Sequence, residues 1–259
     1  MKQDLVQAFN RHFRVETHDS PYLRDACYSL RYQVYCLETG YEDAAAFPDG
    51  RETDRFDGRA AHALVYHRPT GQAAATVRLV LPDPGDSSRP FPIELHCAAS
   101  LQAAAFDMAG LPRDRVAEIS RFAVSKSFKR RAGEAGTLAG AALGGSASRP
   151  SVDARAFPHL TLGLFQAIVA MSAEHGITHW YAVMEPSLLR LLTRFGIVFR
   201  PIGELSDYHG LRQPCMGVVD EVLEGIWRKR RDVWTLITEN GRTWPAPEMP
   251  FPSLHVASP

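Results

Sequence analysis

Nine residues, Val116-Ala117-Glu118-Ile119-Ser120-Arg121-Phe122-Ala123-Val124, constrain this chain more than any other segment. Their apolar content reads as a β-strand, yet the strand carries an acid and a base three residues apart. Side chains alternate between the two faces of a sheet. Strict alternation puts Glu118, Ser120 and Phe122 on one face, and Ile119, Arg121 and Ala123 on the other. Glu118 and Arg121 can therefore reach one pocket only if a β-bulge breaks the register between them. An undistorted strand would instead favour a structural salt-bridge network.

Periodicity supplies the surrounding elements. Pro21 opens a helix whose apolar face carries Leu23, Ala26, Cys27, Leu30, Val34 and Leu37, with Arg24 and Arg31 off that stripe. Residues 38–57 mix Gly, Pro, acids and aromatics without a period, as a long ordered loop does, and such loops often carry function. Strands are expected at 61–67 and 73–81, around the turn Pro69-Thr70-Gly71. A helix over 93–108 should precede the charged strand. Residues 133–151, rich in Gly, Ala and Ser, read as an excursion within the domain, because regular elements resume at once. Two helix–strand units follow: 160–175 with 178–184, and 186–195 with 197–202. A structured segment from Val233 and a peripheral Pro-rich tail at 246–259 complete the chain. This order predicts a single α/β domain over 1–245, a mixed sheet flanked by helices.

Composition narrows the partners. The 259 residues include 29 basic and 29 acidic ones, so the formal net charge is zero. That argues against whole-molecule attraction to nucleic acid or an acidic membrane. The four cysteines, Cys27, Cys36, Cys97 and Cys215, form no close CxxC pair, which fits a reducing, cytoplasmic setting. The opening Met1-Lys2-Gln3-Asp4-Leu5 lacks the apolar run of a signal peptide, and no stretch reaches the roughly 20 apolar residues of a membrane span. Nucleotide-phosphate fingerprints, a GxSxG elbow and HExxH spacing are all missing, so no metal site is expected.

What stands out is a set of unlike charges: Arg31, Asp54, Asp57, Arg78, Glu118 and Arg121. One reading is a structural ion network. The other has acids holding an amine-bearing substrate while arginines fix a carboxylate or order the acids.

These residues carry a resemblance. Arg31-Tyr32-Gln33-Val34-Tyr35-Cys36, Asp54-Arg55-Phe56-Asp57, Arg78-Leu79-Val80 and Glu118-Ile119-Ser120-Arg121-Phe122 occur in the order found in bacterial acyl-homoserine-lactone synthases. Those enzymes have the GCN5-related N-acyltransferase (GNAT) fold. The chain more closely resembles the PEP-CTERM/exosortase-associated acyltransferases. That likeness rests on Arg121 to Phe128, on Gly176 to Pro186, on Asp207-Tyr208-His209-Gly210 and on Arg212-Gln213-Pro214-Cys215. It covers roughly residues 22–215. The resemblance implies transfer of a fatty acyl group from an acyl carrier protein (ACP) or coenzyme A thioester to an amine, with no permanently bound cofactor. In lactone synthases the acceptor is S-adenosylmethionine; in N-acyl amino acid synthases it is an amino acid. A non-catalytic acyl-thioester sensor on the same scaffold is a further alternative.

The chemistry assigns expected roles. An amine attacking a thioester must lose a proton, and the oxyanion needs donors. Glu118 is the expected base, with backbone amides at a bulge as donors. Asp54 and Asp57 would orient the amine, and Arg78 and Arg121 would bind a carboxylate or brace the acids, with Arg31 matching the same cluster by resemblance. Trp180, Met184, Leu188 and Phe195 are candidates for an acyl-chain pocket, with plain core as their ordinary alternative. Lys126, Lys129, Arg130 and Arg131 form a basic patch suited to an acidic carrier protein.

Overall fold

The computed structural model describes residues 4–101, 110–128, 156–207 and 210–248. The expected Gly/Ala/Ser excursion, Lys129, Arg130 and Arg131, and the tail from residue 249 lie outside the described residues.

Helix α1 (Leu5–His12) leads into strand β1 (Phe13–Glu16), and helix α2 (Pro21–Arg31) follows. Strands β2 (Ala60–His67) and β3 (Ala73–Val80) form a hairpin. A short helix α3 (Pro92–His96) then precedes the charged strand β4 (Val116–Val124). Helix α4 (Ala156–Glu174), strand β5 (His179–Met184) and helix α5 (Pro186–Phe195) come next. Strands β6 (Arg200–Pro201), β7 (Ser206–Asp207) and β8 (Leu211–Val218) lead to helices α6 (Val219–Lys229) and α7 (Arg231–Ile237).

Among the described residues the strands form one sheet in the order β1-β2-β3-β4-β5-β8-β6, with β7 pairing β8. Every pairing is antiparallel except β4 with β5. That parallel register runs from Val116↔His179 to Ile119↔Ala182 and stops. Both strands continue, β4 bonded to β3 as far as Val124 and β5 bonded to β8 as far as Met184. The sheet therefore splits between its two middle strands.

Helix α4 is apolar on nearly all sides because it lies across β1, β2, β3 and β4 and also meets α7. Its Leu160, Leu164, Phe165 and Ile168 share a core with Val77, Ile119, Trp180 and Ala182. On the other face, α2 covers Leu64, Tyr66 and Ala123, while α3 and its flanks cover Val80, Val116 and Tyr181.

Several expectations need correction. The α2 stripe ends before Leu37, which is exposed, because the helix widens into π-type turns over Tyr32–Glu38. There Thr39 N–H donates to the Val34 carbonyl, five residues back. Arg31 lies off the apolar stripe yet is fully buried, since that side of the helix meets the acidic loop. Of the helix expected over 93–108, the described part is helical as far as His96; residues 97–101 leave it, with the Ser100 carbonyl accepting from Glu204 N–H and Leu101 bridging Gly203, and residues 102–109 lie outside the described residues. Of the strand expected over 197–202, only Arg200–Pro201 pairs. Strand β8 is unannounced in the sequence because Pro214 interrupts it, and proline lacks the amide a ladder uses.

Candidate active site

Strand β4 is distorted where its charges require it. Thr76 pairs Ala123, but Arg78 pairs Ser120, so Arg121 and Phe122 together oppose Val77. One residue is extra on β4, the definition of a β-bulge. Arg121 adopts φ +49°, a left-handed conformation uncommon for a non-glycine residue. The bulge reverses the alternation: Ile119, Phe122 and Val124 face α4, whereas Glu118, Ser120, Arg121 and Ala123 face the other way. Glu118 and Arg121 thus share a face.

On that face three arginines and three carboxylates close a ring. Arg31 donates to Glu52 at 2.5 Å and to Asp57 at 2.6 Å. Arg78 donates to Asp57 at 2.8 Å, to Asp54 at 2.6 and 3.0 Å, and through Nε to the Ser120 hydroxyl at 3.0 Å. Arg121 closes it with Asp54 at 3.1 Å and Glu52 at 2.8 Å. Charges alternate around the circuit, so every guanidinium has two carboxylate neighbours. Burial alone would raise the Asp57 carboxyl, but the Arg31 hydrogen bond and the Arg31 and Arg78 charges outweigh it and hold the group below the usual range. Glu52 is likewise held low against its burial by Arg121 and Arg31. His62, opposite Arg78 in the β2–β3 register, sits 3.7 Å from Asp57; burial lowers its pKa to about 4, so it is neutral.

Glu118 stands apart from this ring. Its Oε2 accepts from the Ile93 amide at 2.8 Å, at the start of α3. Only 3% of the residue is exposed, and burial pushes its carboxyl up to about 8, against the lowering effect of the Ile93 amide. A carboxyl with that pKa exchanges a proton near neutrality, which is what a base for an amine requires.

One cavity gathers these groups. Glu118, Ser120, Arg121 and Phe122 line it from β4, and Val183, Met184 and Glu185 from β5. It therefore occupies the split between the two strands. Asp54, Arg78, Ile93, Leu188 and Arg212 also reach it. Arg31 and Asp57 do not line it; they sit behind Asp54 and Arg78 as the ring's inner members. Asp57 is thus placed to order Asp54 and Arg78 and has no face toward an amine.

The expected acyl-chain residues divide. Met184 and Leu188 line the cavity, while Trp180 and Phe195 lie outside it. Trp180 is fully buried, its indole N–H donating to Ser172 Oγ at 2.8 Å, because alternation along β5 turns it toward α4. Phe195 packs at the far end of α5 against the main core. Of the basic patch, Lys126 is described and exposed, just past β4. Sequence reasoning gave no site role to Glu52, Glu185 or Arg212, although the last two stand in segments that carry the resemblance and both line the cavity. For Glu52 a signal existed: three arginines faced only two aspartates once Glu118 was reserved for chemistry. Among the described residues, no three His, Cys, Asp or Glu side chains are grouped to hold a metal ion, and no helix is long and apolar enough to cross a membrane.

Comparison with known proteins fits this architecture. The acetyltransferase (GNAT) domain family matches residues 30–139. No curated protein sequence matches the chain. Among solved structures, the CoA-dependent acyl-homoserine lactone synthase BjaI, with SAM and isopentyl-CoA, superposes with a TM-score of 0.54 at 19% identity, covering 91% of this chain and 90% of that one. FeeM, an N-acyl amino acid synthase from uncultured soil microbes, gives 0.52 at 14% identity, covering 85% and 97%. TofI, in a ternary complex with an inhibitor and MTA, gives 0.53 at 19% identity, covering 83% and 96%. With its mostly antiparallel sheet parted between β4 and β5 and flanked by helices, this chain has the GNAT fold.

Proposed function

We propose that this protein is an N-acyltransferase that moves a fatty acyl group from a coenzyme A or ACP thioester to the amine of a small acceptor by direct attack. The observation that carries this reading is a buried, proton-exchanging Glu118 facing a cavity that runs into the split between β4 and β5. An extended thioester arm can enter such a split and use strand amides that no neighbouring strand occupies. The acceptor nitrogen attacks the thioester carbonyl, forming the C–N bond. Glu118 takes the proton from that nitrogen, directly or through water. Backbone amides at the Arg121–Phe122 bulge are suited to stabilise the oxyanion. The C–S bond then breaks, and the thiolate leaves and is protonated to the free thiol. No enzyme nucleophile is required, because holding donor and acceptor together supplies much of the rate.

In this scheme the ion ring is scaffolding. Arg121 is tied to Glu52 and Asp54, so the ring holds the bulge in its left-handed turn. Ile119, Phe122, Met184 and Leu188 form the apolar end of the cavity, where an acyl chain would lie. Exposed Lys126, with Lys129, Arg130 and Arg131 beside it in sequence, offers a contact for an acidic carrier.

The test is incubation of the purified protein with long-chain acyl-CoA or acyl-ACP and a panel of amines, following free thiol and amide. Stoichiometric amide and thiol support the reading. Donor binding without transfer to any amine would sink it and leave a sensor. The similarity to a synthase solved with SAM makes lactone formation the second reading; it predicts consumption of S-adenosylmethionine with release of its thioether remnant.

A further inference from the structure

Amide formation from a protonated amine releases more protons than the thioester can take up. An ammonium loses two on its way to an amide, one before the nitrogen attacks and one after the C–N bond forms. The departing thiolate keeps one of them as the free thiol. The other must reach solvent in every turnover. Glu118 can collect it, but Glu118 is only 3% exposed, and its Oε2 accepts from the Ile93 amide at 2.8 Å. A base enclosed in this way needs a second group to empty it.

Helix α3 supplies that group. Residues three and four apart share one face of a helix. Accordingly Pro92, Ile93, His96 and Cys97 line the cavity, while Glu94 and Leu95 do not. His96 stands one turn beyond Ile93, about 4.5 Å further along the axis. It is exposed, so a residue that lines the cavity of Glu118 also meets water. The charges acting on it come from the acidic loop and from β4. Partial burial, then Arg55 and Arg121, hold its imidazole below the ordinary histidine value, against the opposite effect of Asp54. Near neutrality the ring is therefore uncharged, and a neutral imidazole accepts a proton at one nitrogen and gives one from the other. Two neighbours in the cavity are less suited. Against its own burial, Asp54 is held low by the Arg78 hydrogen bond and by the Arg78 and Arg121 charges, so its carboxylate takes up a proton poorly. Burial raises the Cys97 thiol, which therefore keeps the proton it has.

We propose that His96 is the proton exit of this site: it takes from Glu118, directly or through water, the proton removed from the acceptor and passes it to solvent. This rests on the acyl-transfer reading above, with Glu118 as base. Only bonds to hydrogen are made and broken. The proton leaves the Glu118 carboxyl, joins the His96 imidazole and departs from the imidazolium to water. Carboxylate and neutral ring are then restored for the next turnover.

The test uses His96→Ala, which removes an exposed side chain, with palmitoyl-CoA as donor and isopentylamine, leucine or S-adenosylmethionine as acceptor. The variant should lose about tenfold or more in kcat while the KM values of donor and acceptor hold. Imidazole added to the buffer should restore much of that rate in His96→Ala and none in Glu118→Gln. An unchanged kcat, as a route through Glu42 or Glu185 would give, overturns the inference. So does a loss that imidazole leaves untouched, or one carried by KM. A second readout needs no turnover. After a pH jump, the Glu118 carboxyl can be followed by the infrared band that Glu118→Gln abolishes. Its change of charge should be at least about tenfold slower in His96→Ala than in wild type. Equal relaxation in the two proteins overturns the proton exit by itself. If wild type acylates none of the three acceptors, from palmitoyl-CoA or from palmitoyl-ACP, the acyl-transfer reading itself falls.

Discussion

At the scale of single residues, Glu118 and Glu52 show how one side-chain type serves two purposes. Glu118 has no arginine bonded to it, so burial dominates and its carboxyl rises to about 8. Its active form as a base is the carboxylate, so kcat/KM should climb with pH and level off above about 8. Glu118→Gln should cut kcat by about 10²- to 10⁴-fold with donor affinity nearly unchanged. A pH–rate series on both proteins checks this, and an unaltered profile in the variant removes Glu118 from the base role. The same shift has a consequence for stability. The folded carboxyl holds its proton above the ordinary value of 4.5, so stability from the neutral form is lost as pH rises from about 4.5 through about 8. Glu118→Gln should therefore gain on wild type in urea at pH 9 relative to pH 6. Glu52 is the opposite case, fully buried between two guanidinium groups. Glu52→Gln leaves Arg31 and Arg121 each short of a charge, and should cost about 3–5 kcal/mol in urea unfolding.

At the scale of elements, the site depends on short pieces held in place by neighbours remote in sequence. Helix α3 has only five residues, yet its Ile93 amide is what Glu118 bonds. The segment behind it is pinned by Glu204 N–H to the Ser100 carbonyl at 2.8 Å and by the Leu101–Gly203 bridge. A Cβ added at Gly203 would stand 2.3 Å from the Ser100 oxygen, which is backbone and must move. Gly203→Ala should therefore destabilise by about 1–3 kcal/mol. It should also raise the KM of the acceptor, because the wall carrying Ile93 shifts. Thermal melts and steady-state kinetics on this variant test both expectations. The β4 bulge belongs to the same scale: its register shift is a property of the β3–β4 pair and is held by Arg121's bonds to the acidic loop.

Across the whole molecule, the split between β4 and β5 joins the two faces of the sheet. Glu118, Arg78 and Arg212 lie on one side, while Ile119, Phe122, Met184 and Leu188 belong to the α4 side. Polar acceptor and apolar acyl chain would thus meet at the split from different environments. Filling the apolar end should shorten the chains that fit. Leu188→Trp is expected to lower kcat/KM for long acyl donors by about tenfold or more while short donors are little affected. A chain-length series measures the effect, and a uniform loss at all lengths would place Leu188 in the core alone.

The sequence by itself determined the elements with strong periods and the types of charge that would meet. Strand β4 and helix α5 fall where alternation and the Pro186/Gly196 boundaries put them. The need for a bulge followed from counting side chains between Glu118 and Arg121. Elements whose signals depend on partners were not legible: β8 is interrupted by Pro214, and β1 is a four-residue edge strand made regular by β2. Only the tertiary structure decided that the charges close into a ring through Glu52, that Arg31 and Asp57 stand behind the cavity, and that Glu185 and Arg212 stand across from them. Local pattern reports which way a side chain leaves its own backbone. Whether that direction ends in water, in a core or against an opposite charge depends on chain segments 21 to 69 residues away, as the Glu52 contacts with Arg31 and Arg121 show.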